Sequence, residues 1–149
     1  MSVDPFEQWI GGQMVEDDIE GLLDSVGWGI LALANDDVPY SLPISFGYDG
    51  EEIYFAFIRS SPTDTKFEYI EDGKPARLLV TDVDSRLDWQ SVSVAGTVSS
   101  VKRDSPEWLK LLDSLDDNAW FSSDFRFATM SKGLQGYQLE IDELHGIEF

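Results

Sequence analysis

A small antiparallel β-barrel with short helices is the fold this sequence predicts. Three observations predict it. About six strand-like stretches follow one another, most of them joined by short polar turns. No helix recurs between them, as a doubly wound parallel sheet would require. With 149 residues, 42% hydrophobic and 13% aromatic, the chain has material for one core, and 1–149 reads as a single domain. Closure into a barrel suits such a meander because it removes exposed sheet edges.

The elements follow in order. Residues 1–15 carry Asp4, Pro5 and Gly11-Gly12 around Phe6 and Trp9, which predicts a loose arm or short helix. Asp17–Ser25 sets Ile19, Leu22 and Leu23 at helical spacing. Its acids Asp17, Asp18 and Glu20 sit near the positive end of the helix dipole. Trp28–Ala34 is an apolar strand, Asn35-Asp36-Asp37 a turn, Pro39–Tyr48 a second strand, Asp49-Gly50 a turn and Glu52–Ile58 a third strand. Arg59–Thr63 is a loop, and Asp64–Asp72 reads as a helix with Phe67 and Ile70 on one side. Ala76–Val83 and Trp89–Val101 are strands joined by the polar turn Asp84–Asp88. Ser105-Pro106-Glu107 is a strong helix start, with an N-cap hydroxyl, Pro at the first position and an acid in the first turn; that helix runs to about Leu115. Asp116–Lys132 is irregular and aromatic, Gly136–Ile141 is a strand, and Gly146–Phe149 a short return.

Charge narrows the function classes. The chain has 29 acids against 10 bases, a formal charge of −19. Phosphate-backbone binding needs clustered Lys and Arg, which are scattered here, so nucleic acid is not the expected partner. The same field repels anionic membrane surfaces. Acidic excess spread along the chain, with Asp outnumbering Glu and Lys scarce, points to salt adaptation, because molar salt shortens the Debye length to about 3 Å. There is no Cys, so thiolate catalysis, zinc–thiolate sites and iron–sulfur clusters fall together. MSVDPFEQWIGG lacks a basic and apolar signal segment, and no apolar run approaches the roughly 20 residues of a membrane span, so a soluble cytoplasmic protein is expected.

Several motifs dissolve on inspection. Gly27-Trp28-Gly29 with Ala32 matches G-x-G-x-x-A, but the glycines lead into a strand, where a dinucleotide site needs a helix. Asp82, Asp84 and Asp88 resemble part of a calcium loop, yet Leu87 stands where the turn needs Gly and Ser93 where a bidentate Glu is expected. No metal site is predicted. His145, the single histidine, reads as a surface or edge residue and not as a general base. Carboxylate pairs are everywhere, so nothing selects two of them for acid–base chemistry.

One segment is more specific. The third strand runs into Arg59-Ser60-Ser61-Pro62-Thr63-Asp64-Thr65-Lys66 and a helix. Hydroxyls, a helix N-terminus and the Lys66 charge make a sensible phosphate seat; a capped helix with one solvated Lys is the competing reading.

Taken in order, Gly29-Ile30-Leu31-Ala32-Leu33, Pro39–Phe46 with Tyr48-Asp49-Gly50, Ile53-Tyr54-Phe55, Lys66 with Ile70, and Trp89–Val98 resemble the pyridoxamine 5′-phosphate oxidase-like flavin-binding split barrels, in particular their small nitroimidazole-resistance-like branch. The resemblance covers roughly residues 20–145. It implies a six-stranded antiparallel Greek-key split barrel, a homodimer, and FMN at the subunit interface. It implies that Pro43, Ile44 and Ser45 lie along the flavin ring, that Thr65 and Lys66 take the phosphate, that Ser91 contacts the ring or its side chain, and that Trp120 reaches the partner's flavin. The oxidase proper carries Arg at the positions of Thr65 and Ser41, and its substrate-binding His and Arg have no match here, so pyridoxamine phosphate oxidation is not implied. The expected function is a flavoprotein that passes electrons or hydride to a small molecule, with no catalytic acid or base, because the cofactor carries the chemistry. The alternatives are a deazaflavin (F420) reductase on the same barrel and a non-catalytic flavin- or small-molecule-binding module.

Overall fold

The computed structural model describes residues 11–59, 61, 63–118, 120 and 133–149. Its strands are β1 (Gly12–Gln13), β2 (Trp28–Asn35), β3 (Val38–Ser45), β4 (Gly47–Tyr48), β5 (Ile53–Ile58), β6 (Pro75–Ser85), β7 (Asp88–Val101) and β8 (Leu134–Glu148). Its helices are α1 (Glu16–Val26), α2 (Lys66–Tyr69) and α3 (Pro106–Asp116).

All pairings are antiparallel, in the order β3-β2-β6-β7-β8-β5-β4, with β1 on β8. β3 and β4 stand at opposite ends of that order, yet only Phe46 separates them in the chain. The sheet must therefore curl until its two ends meet, which makes it a barrel joined at Phe46. β5 and β6 are consecutive in sequence but separated by β8 and β7 in the sheet, a Greek-key connection.

Alternation builds the core. Leu31 and Leu33 of β2, Leu78 and Val80 of β6, Val92 and Val94 of β7 and Leu139 of β8 point inward and are buried. Ile19, Leu22 and Leu23 of α1 pack against the same cluster, with Met14 beside them. A second cluster lies outside the barrel, where Trp108, Leu111 and Leu115 of α3 cover Tyr54, Val101 and Leu134. β5 is thus buried on both faces, which its nearly unbroken apolar sequence reflects. Asp36 and Asp37 both have positive φ, 49° and 63°, and close the β2–β3 hairpin in two residues, the geometry that matches strand twist.

The mainly β, antiparallel barrel with short helices stands, but among the described residues the sheet has eight strands rather than six. The predicted strand Pro39–Tyr48 breaks at Phe46 into β3 and β4. The arm contributes β1, which pairs with the end of β8, and the last strand and its return fuse into β8. The helix expected over Asp64–Asp72 shrinks to the single turn of α2. Ile70 is already extended, and the Asp72 carboxylate instead holds the Ser100 N–H and hydroxyl, both at 2.8 Å. Tertiary bonds to β7 outbid the local helical preference. The aromatic stretch around Trp120 lies, apart from Trp120 itself, in 121–132, outside the described residues. No described helix is long and apolar enough to cross a membrane.

Candidate functional site

β4 and β5 pair as Gly47 with Tyr54 and Tyr48 with Ile53. Continued, that ladder would place Ser45 opposite Ala56 and Ile44 opposite Phe57. It does not continue: β3 turns away at Phe46 to pair with β2, where Ser45 faces Trp28. The two strands splay apart, and a cleft of about 340 Å³ opens between Leu42, Pro43, Ile44 and Ser45 on one wall and Ala56, Phe57 and Ile58 on the other, with Lys66 also lining it.

Strand alternation shows what this cleft offers. The Phe46 N–H donates to Gly27 O at 3.0 Å, so residue 46 directs its backbone towards β2. By alternation, Pro43 and Ser45 direct theirs towards the cleft. Pro43 has no N–H to contribute to a ladder, and an open edge is where a strand proline belongs. On the facing wall the Arg59 N–H donates to Gly133 O at 3.0 Å, which turns the backbone groups of Ala56 and Ile58 inward to the cleft. Among the described residues, the split is therefore lined by peptide donors and acceptors with no ladder partner.

Lys66 is largely buried at this cleft. Its Nζ lies 2.8 Å from Asp64 Oδ2, 5.6 Å from the Phe57 ring centroid and 5.4 Å from that of Phe67. Thr65 is exposed, has helical backbone angles, makes no capping bond and does not line the cleft. A helix of one turn has little dipole, so the positive potential at this end comes from side chains. Arg59 adds to it: its guanidinium carbon sits 3.9 Å from the Phe67 centroid, the same ring that Lys66 approaches. The segment expected to take a phosphate thus presents, among its described residues, a Phe67 ring approached by two cations beside a helix of a single turn.

A second cleft, about 330 Å³, adjoins the first along the same segment and is lined by Trp28, Pro43, Ile44, Ser45 and Trp120. The two indoles meet edge-on, with centroids 6.2 Å apart and planes at 70°. Trp120 Nε1 donates to Val26 O at 2.7 Å. Buried Asn118 donates through Nδ2 to Gly27 O at 2.7 Å and to Phe46 O, and its Oδ1 accepts from Trp120 N at 2.8 Å. Sequence reasoning missed Trp28, Arg59 and Asn118. Trp28 had a readable signal, since it opens the strand that pairs with Pro43–Ser45; Asn118 had none.

Ser91 lines neither cleft. It pairs with Thr81 and Ile147. Extending the β2–β6 register puts Trp28 opposite Thr81, so Ser45, Trp28, Thr81 and Ser91 form one row on the outer face. Three strand spacings, about 14 Å, separate Ser91 from Ser45. Pro43, Ile44, Ser45, Lys66 and Trp120 thus come together; Thr65 sits beside them, and Ser91 shares only the face.

The other motifs resolve as ordinary structure. Gly27, at φ +75°, is the left-handed C-cap of α1, and Gly29 belongs to β2. His145 is exposed opposite Ser93. Among the described residues no three His, Asp or Glu side chains are grouped to hold a metal. A larger cleft, about 590 Å³, lies elsewhere between Asp24, Tyr48, Asp49, Glu51, Asp113 and Asp117, with Lys110 at its wall. Burial first, and then the charges of Glu20 and Asp24, push the Tyr48 hydroxyl up to about 12.

Among curated proteins none matches the chain in sequence. Among solved structures it is similar to an FAD-binding protein from Mesorhizobium loti, with TM-score 0.71 and 17% identity over 93% of this chain and 97% of that one. It is similar to an FAD and heme binding protein from Mycobacterium smegmatis, with TM-score 0.67 and 22% identity over 91% and 72%. A heme storage protein from Vibrio cholerae gives TM-score 0.69 and 12% identity over 89% and 94%. At these identities the likeness is one of fold. A family model described as pyridoxamine 5′-phosphate oxidase matches residues 15–148, from the residue before α1 to the last of β8, and the chain belongs to that family.

Proposed function

We propose that this protein binds FMN in the split between β3 and β5 and serves as a small-molecule oxidoreductase. One observation carries the reading: the open peptide edge of Pro43–Ser45 and the Lys66 ammonium belong to the same cleft. The donor set fits the cofactor. Peptide groups suit the polar edge of an isoalloxazine, Lys66 and Arg59 suit a phosphate, and the Trp28–Trp120 pair suits a flat apolar ring. A flavin supplies electron or hydride transfer to or from a small substrate. The chain's own residues bind it, orient it and exclude water; none of them is needed as an acid or base. Pyridoxamine phosphate oxidation is no part of the proposal, because Ser41 and Thr65 leave the phosphate with fewer cations than that enzyme.

The solved neighbours that bind FAD support a flavin, and those that bind heme offer a rival. The described residues at the two clefts favour flavin: they include no His, Cys, Met or Tyr to ligate iron. The proposal includes a homodimer, formed through the outer face of β3-β2-β6-β7. Leu79 is 43% exposed there, with Pro43, Ala32 and Ala34 also exposed, and a second copy on this face would bring a ligand within reach of Ser91.

The test is purification in molar KCl, an absorbance spectrum, and chromatography of what heat releases. Released FMN supports the proposal. FAD, a deazaflavin or heme would replace the cofactor, and a colourless protein that ignores added FMN would overturn it. Flavin that no reduced nicotinamide or other donor can reduce would leave a binding module.

A further inference from the structure

Asn118 joins three parts of the chain that meet where the barrel splits. It stands just past α3 and is 7% exposed. Its Nδ2 donates to Gly27 O, at the corner between α1 and β2, and to Phe46 O, the residue at which β3 leaves β4. The Gly27 carbonyl also accepts the Phe46 N–H, so one amide ties the corner and the hinge together. The Oδ1 of the same amide receives the Trp120 N–H. A Cβ on Gly27 would run into the Asn118 side chain and the Trp120 ring, which shows how closely the corner fits both.

Trp120 needs this hold. It is 61% exposed, so burial does not fix it. It stays on Trp28 through two bonds, the backbone one to Asn118 and the indole one to Val26 O. The anchor points are a backbone carbonyl and a buried amide, and neither Val26 nor Asn118 lines the cleft.

We infer that Asn118 is a positioning residue: it fixes the hinge of the split at Phe46 and, from the same amide, seats Trp120 on Trp28 as one wall of the cleft beside Pro43–Ser45. The ligand group met by that wall is a flat, apolar ring, with no charge to complement. The inference rests on the proposed flavin site for the identity of its ligand, and on the geometry alone for the hold on Trp120.

The test separates the two. Paired indoles at this distance give an exciton couplet in circular dichroism, readable on the ligand-free protein in molar KCl. W120F removes one partner and sets the zero. N118A is expected to lose most of the couplet while Trp120 is still present, a change that loss of stability alone would not produce in a cooperatively folded sample. Affinities for FMN and for riboflavin are then titrated on each variant. N118A and W120F should weaken both ligands equally, by roughly five- to tenfold. K66Q should weaken FMN only. An unchanged couplet in N118A overturns the positioning role. Full riboflavin affinity in W120F overturns the ring contact, and W120F keeps every Asn118 bond, so it answers even if N118A fails to fold. If the native protein takes neither flavin, the proposed function falls, and the couplet in N118A still decides the hold on Trp120.

Discussion

Lys66 carries a cation into a cleft on a molecule of charge −19, and it sits there paired to Asp64 at 2.8 Å. A phosphate at the proposed site would share that ammonium with Asp64, so it would need other contacts as well. Reversing the charge should lower FMN affinity by about ten- to a hundredfold, the worth of one charge-assisted hydrogen bond. Riboflavin, which lacks the phosphate, is the control: equal losses for both ligands in K66E would remove Lys66 from the phosphate role. Gly27 makes the complementary structural point. At φ +75°, with Asn118 against it, Gly27→Ala should cost about 1–2 kcal/mol from the backbone alone, and denaturant midpoints would measure it. Both residues were legible in sequence, though unequally. Lys66 stood out as a scarce cation after a hydroxyl-rich loop. Gly27 was readable as a helix-to-strand turn, but its contact with Asn118 spans 91 positions, and no local pattern encodes such a meeting.

At the scale of elements, local chemistry was readable and long-range competition was not. Ser105 shows the first. Its Oγ accepts the Trp108 N–H at 3.3 Å, and Pro106 opens α3, as the Ser-Pro-Glu signature predicts. Ser105→Ala should cost about 1 kcal/mol, seen as a lower unfolding midpoint with unchanged flavin binding. A loss of flavin affinity as large as that of K66E would mean that α3 does more than cover β5. The break between β3 and β4 shows the second. Leu42, Ile44 and Phe46 alternate with Ser41, Pro43 and Ser45 through it, so the period of 2 runs on while the pairing partner changes from β2 to β5. Periodicity reports which face is apolar and not which strand is adjacent, so the cleft itself was invisible. Pro43 was the one visible trace of an open edge. α2 fell short for a related reason: its helical spacing was real, but Asp72 bonds to Ser100, 28 residues away. Leu79→Glu tests the outer face: it should convert a dimer to a monomer in sedimentation, and an unchanged mass would move the interface elsewhere.

For the whole molecule, the charge balance predicts how stability should respond to salt and pH. With 29 acids and 10 bases, the carboxylates outnumber the basic side chains by 29 − 10 = 19. Their mutual repulsion is present in the folded state and relaxes when the chain expands. Three tyrosines and a glutamate add a pH signature of the same sign. Tyr48 is pushed up to about 12, and Glu52 is raised, first by burial and then by its acidic neighbours against the opposing bond from Ile141 N. Tyr54 and Tyr137 are also raised, first by burial. A raised acid binds its proton more tightly when folded, so each contributes stability that is lost as pH rises. For Tyr48 the loss falls between about pH 10 and 12. For Glu52 stability increases as pH drops through its folded value towards that of a free glutamate, the reverse of an ion-paired carboxylate. Salt must then act in the same direction as mild acid. The unfolding midpoint at neutral pH should rise from about 0.1 M to molar KCl as the screening length falls from about 10 Å to 3 Å. That rise should shrink on approach to the pI of 4.1, where protonation has already removed the repulsion. Sodium sulfate would strengthen apolar burial at any pH. The decisive comparison is therefore KCl at neutral pH against KCl near the pI. Equal salt gains at both would assign the effect to hydrophobic burial, and a midpoint indifferent to KCl at neutral pH would show that the acidic surface is not what sets the stability of this barrel.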